Sequence, residues 1–441
     1  MKNRKKRSNR RINYLTRKSE RIMKELQKNN KLGKVQDNDS VENSVFDKSK
    51  EVTHFKTFGF KDLEILEKSD FKVRDVWYKF KTPNFRLNVP ENFSFTENPD
   101  ESIGFLRNLF TLILDKKTKE IQFDHSQCSE MDIAASAVMD TIVLNSEKIH
   151  FITKVPFGLR GILPGTGYVR DLLLVSGIVK QLGISKEPKP AHIHTTGLIM
   201  GEESDVIATK LTNFYKRSLK TQSVELNDLG EIYIAQMIGE VANNCKLHGG
   251  EMTSWYSQGH YFMRENDSIG ECRIVIFNYG QSIYSRLKSV DTTRVTMIEL
   301  NELTRVHKPN FDSNWNEEAL WTLYSLQDGV SRMREEHGKN ADRGSGTMHL
   351  IDHFLEIGQS MNDEYPVMSL TSGRIHITFD GSYRLLTNDE GRKVIAFNDN
   401  NDLTEKPNLD YIKILENGFP GTVISMKFYL DKKFLKSREG D

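Results

Sequence analysis

The sequence predicts an α/β protein with two folded parts that follow a basic arm. Three observations predict this fold class. Strand-like and helix-like patterns alternate between residues 100 and 200, a long amphipathic helix precedes a buried strand between 231 and 283, and a glycine loop opens into another helix at 340–358. Alternating strands and helices are typical of layered α/β domains. A chain of 441 residues is also too long for one domain of ordinary size.

The composition excludes several classes of protein. Hydrophobic residues make up 37% of the chain, and 24 Phe, 14 Tyr and 4 Trp supply enough apolar material for folded cores. No apolar stretch reaches the length of a membrane-spanning helix, and the first residues lack the apolar segment of a secretory signal. Three widely spaced cysteines form neither a disulfide framework nor a zinc motif. These features predict a cytoplasmic protein.

The charge is concentrated at the beginning of the chain. Residues 1–34 contain 14 Lys or Arg against two Glu, a net charge of +12, whereas the whole chain carries +1 and the remainder therefore −11. Such an arm either contacts nucleic acid or another anionic surface, or docks on the acidic body and aids solubility. Residues 35–50 are polar and aperiodic, so 1–50 is predicted to be a largely disordered arm and linker.

Residues 51–204 are predicted to form a smaller N-terminal α/β domain. Its predicted elements are a buried segment at 105–115, strands at 121–126 and 148–155, and helices at 131–144 and 168–183. The turn into the first of these helices carries Asp132, Ile133, Ala134 and Ala135. This arrangement resembles the STAS-like domain of bacterial anti-anti-sigma proteins. The serine that is phosphorylated at this helix start in that family is absent here, so the resemblance does not imply the phosphorylation switch.

The segment 231–250 predicts a long helix with one buried side. Its apolar stripe consists of Ile234, Met237, Ile238, Val241 and Cys245. Glu240 and Asn244 lie four residues apart and therefore project from one side, and His248 follows one turn later. A carboxylate beside a carboxamide suits a hydrated Mg²⁺ ion. The alternative is an ordinary helix with an exposed polar side.

Two further segments carry glycine at a change of direction. In CRIVIFNYGQSI (272–283) a predicted strand ends at Asn278, and the following glycine would let a flat base approach the backbone; a simple hairpin turn is the alternative. In NADRGSGTMHL (340–350) the loop opens directly into an amphipathic helix, whose first N–H groups suit phosphate oxygens, with Arg343 as an additional cation. An ordinary turn is the alternative here too.

Taken in order, these segments resemble the GHKL or Bergerat ATP-binding fold of histidine kinases, gyrases, mismatch-repair ATPases and anti-sigma kinases. EVANNCKLHGG matches the N-box of that family, NYGQS its adenine-binding box, RGSGTMHL its glycine box, and PGTVISMKFYL (420–430) its closing strand. The resemblance covers about 205–430 and implies an α+β two-layer sandwich. Residues 431–441 are then predicted to be a charged tail.

The resemblance implies a role for each matching residue. Glu240 is the general base and Asn244 the Mg²⁺ ligand. The other implied nucleotide-binding residues are His248, Asn278, Gly280, Ser282, Arg343, Gly344, Ser345, Gly346, Thr347 and Thr422. The sequence departs from the family pattern where Asn278 replaces an aspartate and where Ser282 and Met348 each replace a glycine.

The expected function is that of a regulatory ATPase or kinase-like protein that binds ATP and Mg²⁺. A mobile lid between Tyr284 and Asp342 would couple nucleotide state to a partner protein. A homodimer is a further possibility for the partner. No histidine-kinase acceptor motif precedes the ATP segment, since His192 and His194 lie in a strand-like stretch. The alternative is a catalytically weak, ATP-gated module that contacts nucleic acid through residues 1–34.

Overall fold

The computed structural model describes residues 84–437, apart from 115–117, 154–157, 177–187, 202, 249–254, 264–269, 290, 329, 331–345, 360–364 and 389–390. The predicted arm and linker at 1–50 therefore lie outside the described residues, as does the beginning of the predicted N-terminal domain. Every element below belongs to one unit, which extends from His54 to Asp441.

A small parallel sheet forms the first layer. Its strands are β1 (Asn84–Asn88), β3 (Glu120–Asp124) and β5 (Gly158–Ile162), in that spatial order. Each strand leads into a helix: α1 (Pro99–Leu114), α2 (Ile133–Thr153) and α3 (Tyr168–Val175). The short strands β2 (Asn92–Phe93) and β4 (Glu130–Met131) pair beside them. This alternation agrees with the α/β class predicted from the sequence.

Two element predictions in this layer need correction. The predicted strand at 148–155 is wrong, because α2 continues as far as Thr153. No glycine or proline lies between Leu144 and Thr153 to end the helix, and the apolar run at 148–155 is short enough to fit a helix as well as a strand. The predicted helix at 168–183 stops at Val175, and Ser176 is already extended; residues 177–187 lie outside the description.

The central sheet is antiparallel. Its path is β11 (Gly358–Gln359), β15 (Ile412–Leu430), β10 (Glu271–Tyr279), β9 (Trp255–Phe262) and β6 (Ile193–Thr195), with β12 (Val367–Phe379) also paired to β15 and β7 (Ile199–Met200) to β9. Two short pairs complete the described strands: β13 (Leu386–Thr387) with β14 (Lys393–Val394), and β8 (Val224–Leu226) with β16 (Leu435–Ser437).

Helices cover one face of this sheet. They are α4 (Ser204–Lys220), α5 (Asp228–His248) and α9 (Gly346–Ile357), joined by α6 (Ile283–Leu287), α7 (Arg294–His307) and α8 (Glu317–Tyr324) near β12. All five residues of the predicted α5 stripe are buried in this core. The predicted helix is therefore confirmed together with the side that it buries.

The opposite face of the sheet is covered as well, by helices α1 and α2 from the part of the chain that was predicted as the N-terminal domain. Along β10, Ile274 and Ile276 belong to the core under α5, whereas Val275 and Phe277 belong to the core that contains α1 and α2. Apolar side chains on both faces of a strand require cover on both sides.

Helices α1 and α2 lie between the two sheets. Every residue of α2 from Ile133 to Leu144 is buried, and apolar residues of β1 and β3 join the same core from the other side. A helix that is apolar on all sides needs partners on all sides. The order of layers is thus parallel sheet, α1 and α2, antiparallel sheet, and the α4, α5 and α9 helices.

Polar contacts also hold the first part of the chain to the central sheet. Asp100 at the start of α1 accepts hydrogen bonds from the backbone N–H groups of Glu416 (3.1 Å) and Asn417 (2.7 Å) in β15. At the start of β10, Arg273 donates to the Tyr168 hydroxyl on α3 (2.6 Å). The domain boundary after residue 204 stays a prediction, but α1 and α3 are bound to the sheet of the second part.

Two other regions are more ordered than the sequence predicted. Phe434 is buried and β16 pairs with β8, so the first half of the predicted tail at 431–441 is part of the fold. In the predicted lid, Leu300, Trp315 and Trp321 are buried in the main core. A mobile lid would have to lie outside α7, α8 and the segment with Trp315 between them. Among the described residues, no helix is long and apolar enough to cross a membrane.

Candidate functional site

A row of three polar residues crosses three neighbouring strands on the face of the sheet under α5. Asn278 on β10 is the cross-strand partner of Thr422 on β15, and Thr422 is in turn the partner of Ser372 on β12. Side chains two residues further along each strand point the same way, and there they belong to the main core. The row therefore marks a polar edge of the core.

Asn278 has an unused hydrogen-bond acceptor. Its side chain is 1% exposed and its Oδ1 atom has no hydrogen-bond partner, while Nδ2 lies 3.4 Å from the carbonyl oxygen of Tyr279. The carbonyl fixes the amide orientation, because the flipped amide would place two acceptors against each other. A buried acceptor without a partner costs free energy, so it indicates that a donor belongs at this position.

The turn after β10 explains two residues of the predicted adenine-binding box. Gly280 has a φ of +147°, which a residue with a Cβ atom rarely adopts, and its N–H donates to Pro420 O (2.9 Å). Ser282 caps α6 by accepting a hydrogen bond from the N–H of Ser285 (3.1 Å). The strand thus ends in a strand-to-helix turn instead of the hairpin considered as an alternative, and a serine at 282 has a structural role.

Glu240 and Asn244 lie on the side of α5 that faces α9. Both are half-buried, and Tyr233, seven residues before Glu240 and thus on the same side, contacts the other helix. Its ring lies 4.8 Å from that of His353, and its hydroxyl donates to Glu356 (3.1 Å). The polar pair predicted from the sequence therefore borders the groove between these two helices.

Contacts at one end of the sheet determine the direction of both helices. Asn227, just before α5, donates through its N–H to Phe434 O (2.9 Å), and the N–H of Asp431 donates to Ile357 O at the end of α9 (3.0 Å). The start of α5 and the end of α9 therefore meet at the Leu430 end of β15. Since α5 and α9 pack against each other, they are antiparallel.

The lengths of the elements bring the predicted residues to the same end of the sheet. From Asp228 to Asn244, α5 rises about 24 Å, at about 1.5 Å per residue. Along β15, Leu430 and Thr422 are separated by about 26 Å, at about 3.3 Å per residue. The second half of α5 and the start of α9 thus approach the end of the sheet that carries Asn278.

The predicted glycine box is described only in part. Arg343, Gly344 and Ser345 lie outside the described residues, whereas α9 begins at Gly346 and continues through the half-buried Thr347. Met348, which replaces a glycine of the family pattern, is buried in the main core. His248 is the last residue of α5. The helix start is therefore confirmed, and the phosphate contacts stay a prediction.

Sequence reasoning missed Ser372. It is fully buried, its hydroxyl lies 2.8 Å from Thr422 Oγ1, and it accepts a hydrogen bond from the N–H of Ile283 (2.9 Å). Its only signal in the sequence is a polar residue where the alternation of Met368 and Leu370 would place an apolar one, directly before Gly373, whose φ is +60°. Its contacts depend on the register of strands that are about fifty residues apart in the chain.

Another cleft, of about 650 Å³, lies at the end of the parallel strands β1 and β3 and is lined by Arg86, Asn88, Asp124, Ser126 and Gln127. Its charged groups satisfy each other: the Ser126 N–H donates to Asp124 (2.9 Å), and Arg86 forms an ion pair with the same carboxylate. The hydrogen bonds from Ser126, followed by those from Arg86, lower the pKa of Asp124 to about 2. No orphaned group points to a ligand here, in contrast to Asn278.

Comparison of this chain with known protein families, with curated proteins and with solved structures gives no match. The arrangement of Asn278, Thr422, Glu240 and Asn244 is therefore the basis for assigning a function.

Proposed function

We propose that this protein binds ATP with Mg²⁺ in the groove between α5 and α9, as a regulatory ATPase or kinase-like protein of the GHKL type. The observation that carries the proposal is the unpartnered, buried Oδ1 atom of Asn278 beside Thr422. An acceptor and a hydroxyl on neighbouring strands are suited to the amino group and an adjacent ring nitrogen of adenine. The orphaned acceptor is the feature of this chain that fits a nucleotide.

The remaining residues have separate roles in this proposal. Asn244 would ligate Mg²⁺ through its side-chain oxygen, and Glu240, one turn earlier, would accept the proton of the attacking water or hydroxyl. Bound Mg²⁺ supplies charge neutralisation on the phosphates. No cluster of three or more His, Cys, Asp or Glu is found in the described part of the chain. In this proposal, oxygens of the nucleotide phosphates and of Asn244 would bind the Mg²⁺ ion.

The proposed output is a partner protein. Helices α6 to α8 follow the turn after β10: Ser282 caps α6, and the N–H of Ile283 donates a hydrogen bond to Ser372 in the polar row. Binding or release of adenine at Asn278 could therefore shift α6 through the turn at 280–282 that joins them. Self-association of the chain is one form that this output could take.

Calorimetric titration of the full chain with Mg-ATP tests the proposal. We expect wild type to bind, Asn244→Ala to bind at least tenfold more weakly, and Asn243→Ala, whose exposed side chain lies on another side of α5, to behave as wild type. Phosphate release should disappear in Glu240→Gln while binding is retained. Absence of ATP binding by wild type would refute the proposal.

A second candidate function rests on the arm. The net charge of +12 in residues 1–34 supports an ATP-gated module that holds nucleic acid. Deletion of these residues should then abolish salt-sensitive retention on DNA or RNA without changing ATP affinity. If phosphate release by wild type is also absent, this second function is favoured over the enzyme.

A further inference from the structure

We propose that Ser372 is a positioning residue of the candidate nucleotide site, which directs the hydroxyl hydrogen of Thr422 toward a ring nitrogen of the bound purine. The proposal rests on the ATP-binding function proposed above and deepens it. Ser372 is fully buried, whereas Thr422 is partly exposed at the same edge of the core. The serine therefore acts on a ligand through the threonine.

The contacts of Ser372 indicate which atom accepts the hydrogen bond from its hydroxyl group. Its oxygen accepts the hydrogen bond from the N–H of Ile283 at 2.9 Å. Two acceptors are then available for its own hydrogen: Thr422 Oγ1 at 2.8 Å and Gly421 O at 3.4 Å. Hydrogen bonds between a hydroxyl and an oxygen are most frequent at 2.7–2.8 Å. Either hydroxyl could be the donor at 2.8 Å, but Gly421 O is distant for the hydrogen of Ser372, so we assign this hydrogen to Thr422 when a bound ligand accepts the hydrogen of Thr422.

This assignment makes Thr422 a donor. A hydroxyl group has one hydrogen, and the Thr422 oxygen already accepts from Ser372, so the threonine hydrogen is directed elsewhere. The neighbouring Asn278 presents an acceptor, because its Nδ2 faces the carbonyl of Tyr279 and its Oδ1 has no partner. The edge of the site thus carries one acceptor and one donor on adjacent strands.

The acceptor on Asn278 and the donor on Thr422 would distinguish 6-aminopurines from 6-oxopurines. A 6-aminopurine presents a donor at its amino group and an acceptor at each flanking ring nitrogen, which complements Asn278 and Thr422. A 6-oxopurine presents an acceptor where the amino group would be, directly opposite the Asn278 oxygen. Loss of the Ser372 hydroxyl would let Thr422 rotate and would weaken the contact with the ring nitrogen without removing the contact with the amino group.

Base analogues separate the two contacts. Affinities of the full chain are measured for ATP, for 1-deaza-ATP and 7-deaza-ATP, which each lack one flanking ring nitrogen, and for the triphosphate of purine riboside, which lacks the amino group. We expect wild type to prefer ATP over one of the two deaza analogues roughly tenfold, as for one hydrogen bond. In Ser372→Ala this preference should shrink toward one, while the preference for ATP over the 6-unsubstituted purine is retained.

Ser369→Ala is the matched control. Ser369 is buried on the same strand, but its hydroxyl lies 3.2 Å from Thr96 on the other face of the sheet, so the substitution should cost stability without changing either preference. Ser372→Cys, a weaker donor of similar size, keeps the measurement possible if the alanine variant does not fold, and should reduce the same preference.

The outcomes are distinguishable. If Ser372→Ala prefers ATP over the deaza analogues as strongly as wild type does, the proposed role of Ser372 is wrong, while the proposed ATP binding is unaffected. A wild type that binds ATP and both deaza analogues equally would overturn it too, because no ring nitrogen would be in contact. A wild type that binds no ATP would overturn the proposed function together with this inference.

Discussion

The hydroxyl of Tyr279 lies 2.6 Å from Oγ1 of Thr141 in the middle of the buried helix α2. Thr141 also donates to Val138 O at 2.7 Å, so the tyrosine is the donor of the shared bond. Because successive residues of a strand point to opposite faces, Tyr279 contacts α2 while Asn278 points to the candidate nucleotide site. One residue step along β10 thus separates the proposed base-binding position from the layer formed by α1 and α2.

Removal of this hydroxyl should be measurable. Tyr279→Phe deletes the bond and leaves Thr141 satisfied through Val138 O, so we expect a loss of about 1 kcal/mol in the free energy of unfolding. Urea denaturation followed by fluorescence gives this value. A loss of several kcal/mol would mean that the ring itself is displaced, and no loss would show that the hydroxyl bond makes no net contribution.

Asn278→Asp tests which atom of the amide faces the ligand. A carboxylate buried at this position without a donor should lower the melting temperature of the free protein. It should also bind the amino group of adenine more strongly than the neutral amide, since charge-assisted hydrogen bonds are the stronger ones. Thermal unfolding with and without Mg-ATP should therefore give a lower starting value and a larger ATP-induced increase than in wild type.

Asn278→Ala is the control for this substitution and should lose most of the ATP-induced increase. If Asn278→Asp binds ATP more weakly than wild type does, the amide must act as a donor, and the proposed orientation of Asn278 is wrong.

The sequence predicted those features that depend on local spacing. The α5 stripe repeats every three to four residues, and Asn278 stands at the end of an apolar run, so their positions could be derived without tertiary contacts. Ser372 could not be derived in this way, because the role proposed for it depends on the register between β12 and β15. A residue whose partners are distant in sequence gives no periodic signal.

The packing of α2 between two sheets was not predicted, for a related reason. The segment 131–144 was recognised as helical, but the pattern does not state that both of its sides would be covered by sheets. The prediction of a strand at 148–155 was wrong because short apolar runs fit both strand and helix. Extending an existing helix is more favourable than starting a new element. Contacts between layers are set by which apolar faces meet in three dimensions.

The buried position of α2 leads to a packing prediction. Ala137 is fully buried between the two sheets, so Ala137→Leu should destabilise the protein by about 1–3 kcal/mol through overpacking. Ala235→Leu, on a half-exposed side of α5, is the matched control and should change stability by less than about 0.5 kcal/mol. Equal effects in urea denaturation would contradict the placement of α2 between the sheets.

His376 on β12 predicts a dependence of stability on pH. The side chain is buried opposite Lys413 on β15, and burial, with a smaller contribution from the lysine charge, lowers the pKa of His376 to about 4. The unfolded chain takes up a proton near pH 6.5, whereas the folded protein does so only near pH 4. This contribution to stability is therefore present above pH 6.5 and is lost as the pH falls toward 4.

His376→Gln removes this titration and keeps a polar group beside Thr371, whose hydroxyl lies 3.0 Å from His376 Nδ1. We expect the decrease in unfolding free energy between pH 6.5 and 4 to be smaller in the variant, by at most about 3 kcal/mol. Part of the decrease should persist, because burial also lowers the pKa of His125 to about 4. Curves for His376→Gln and wild type that remain parallel between these pH values would show that His376 is accessible to protons in the folded protein.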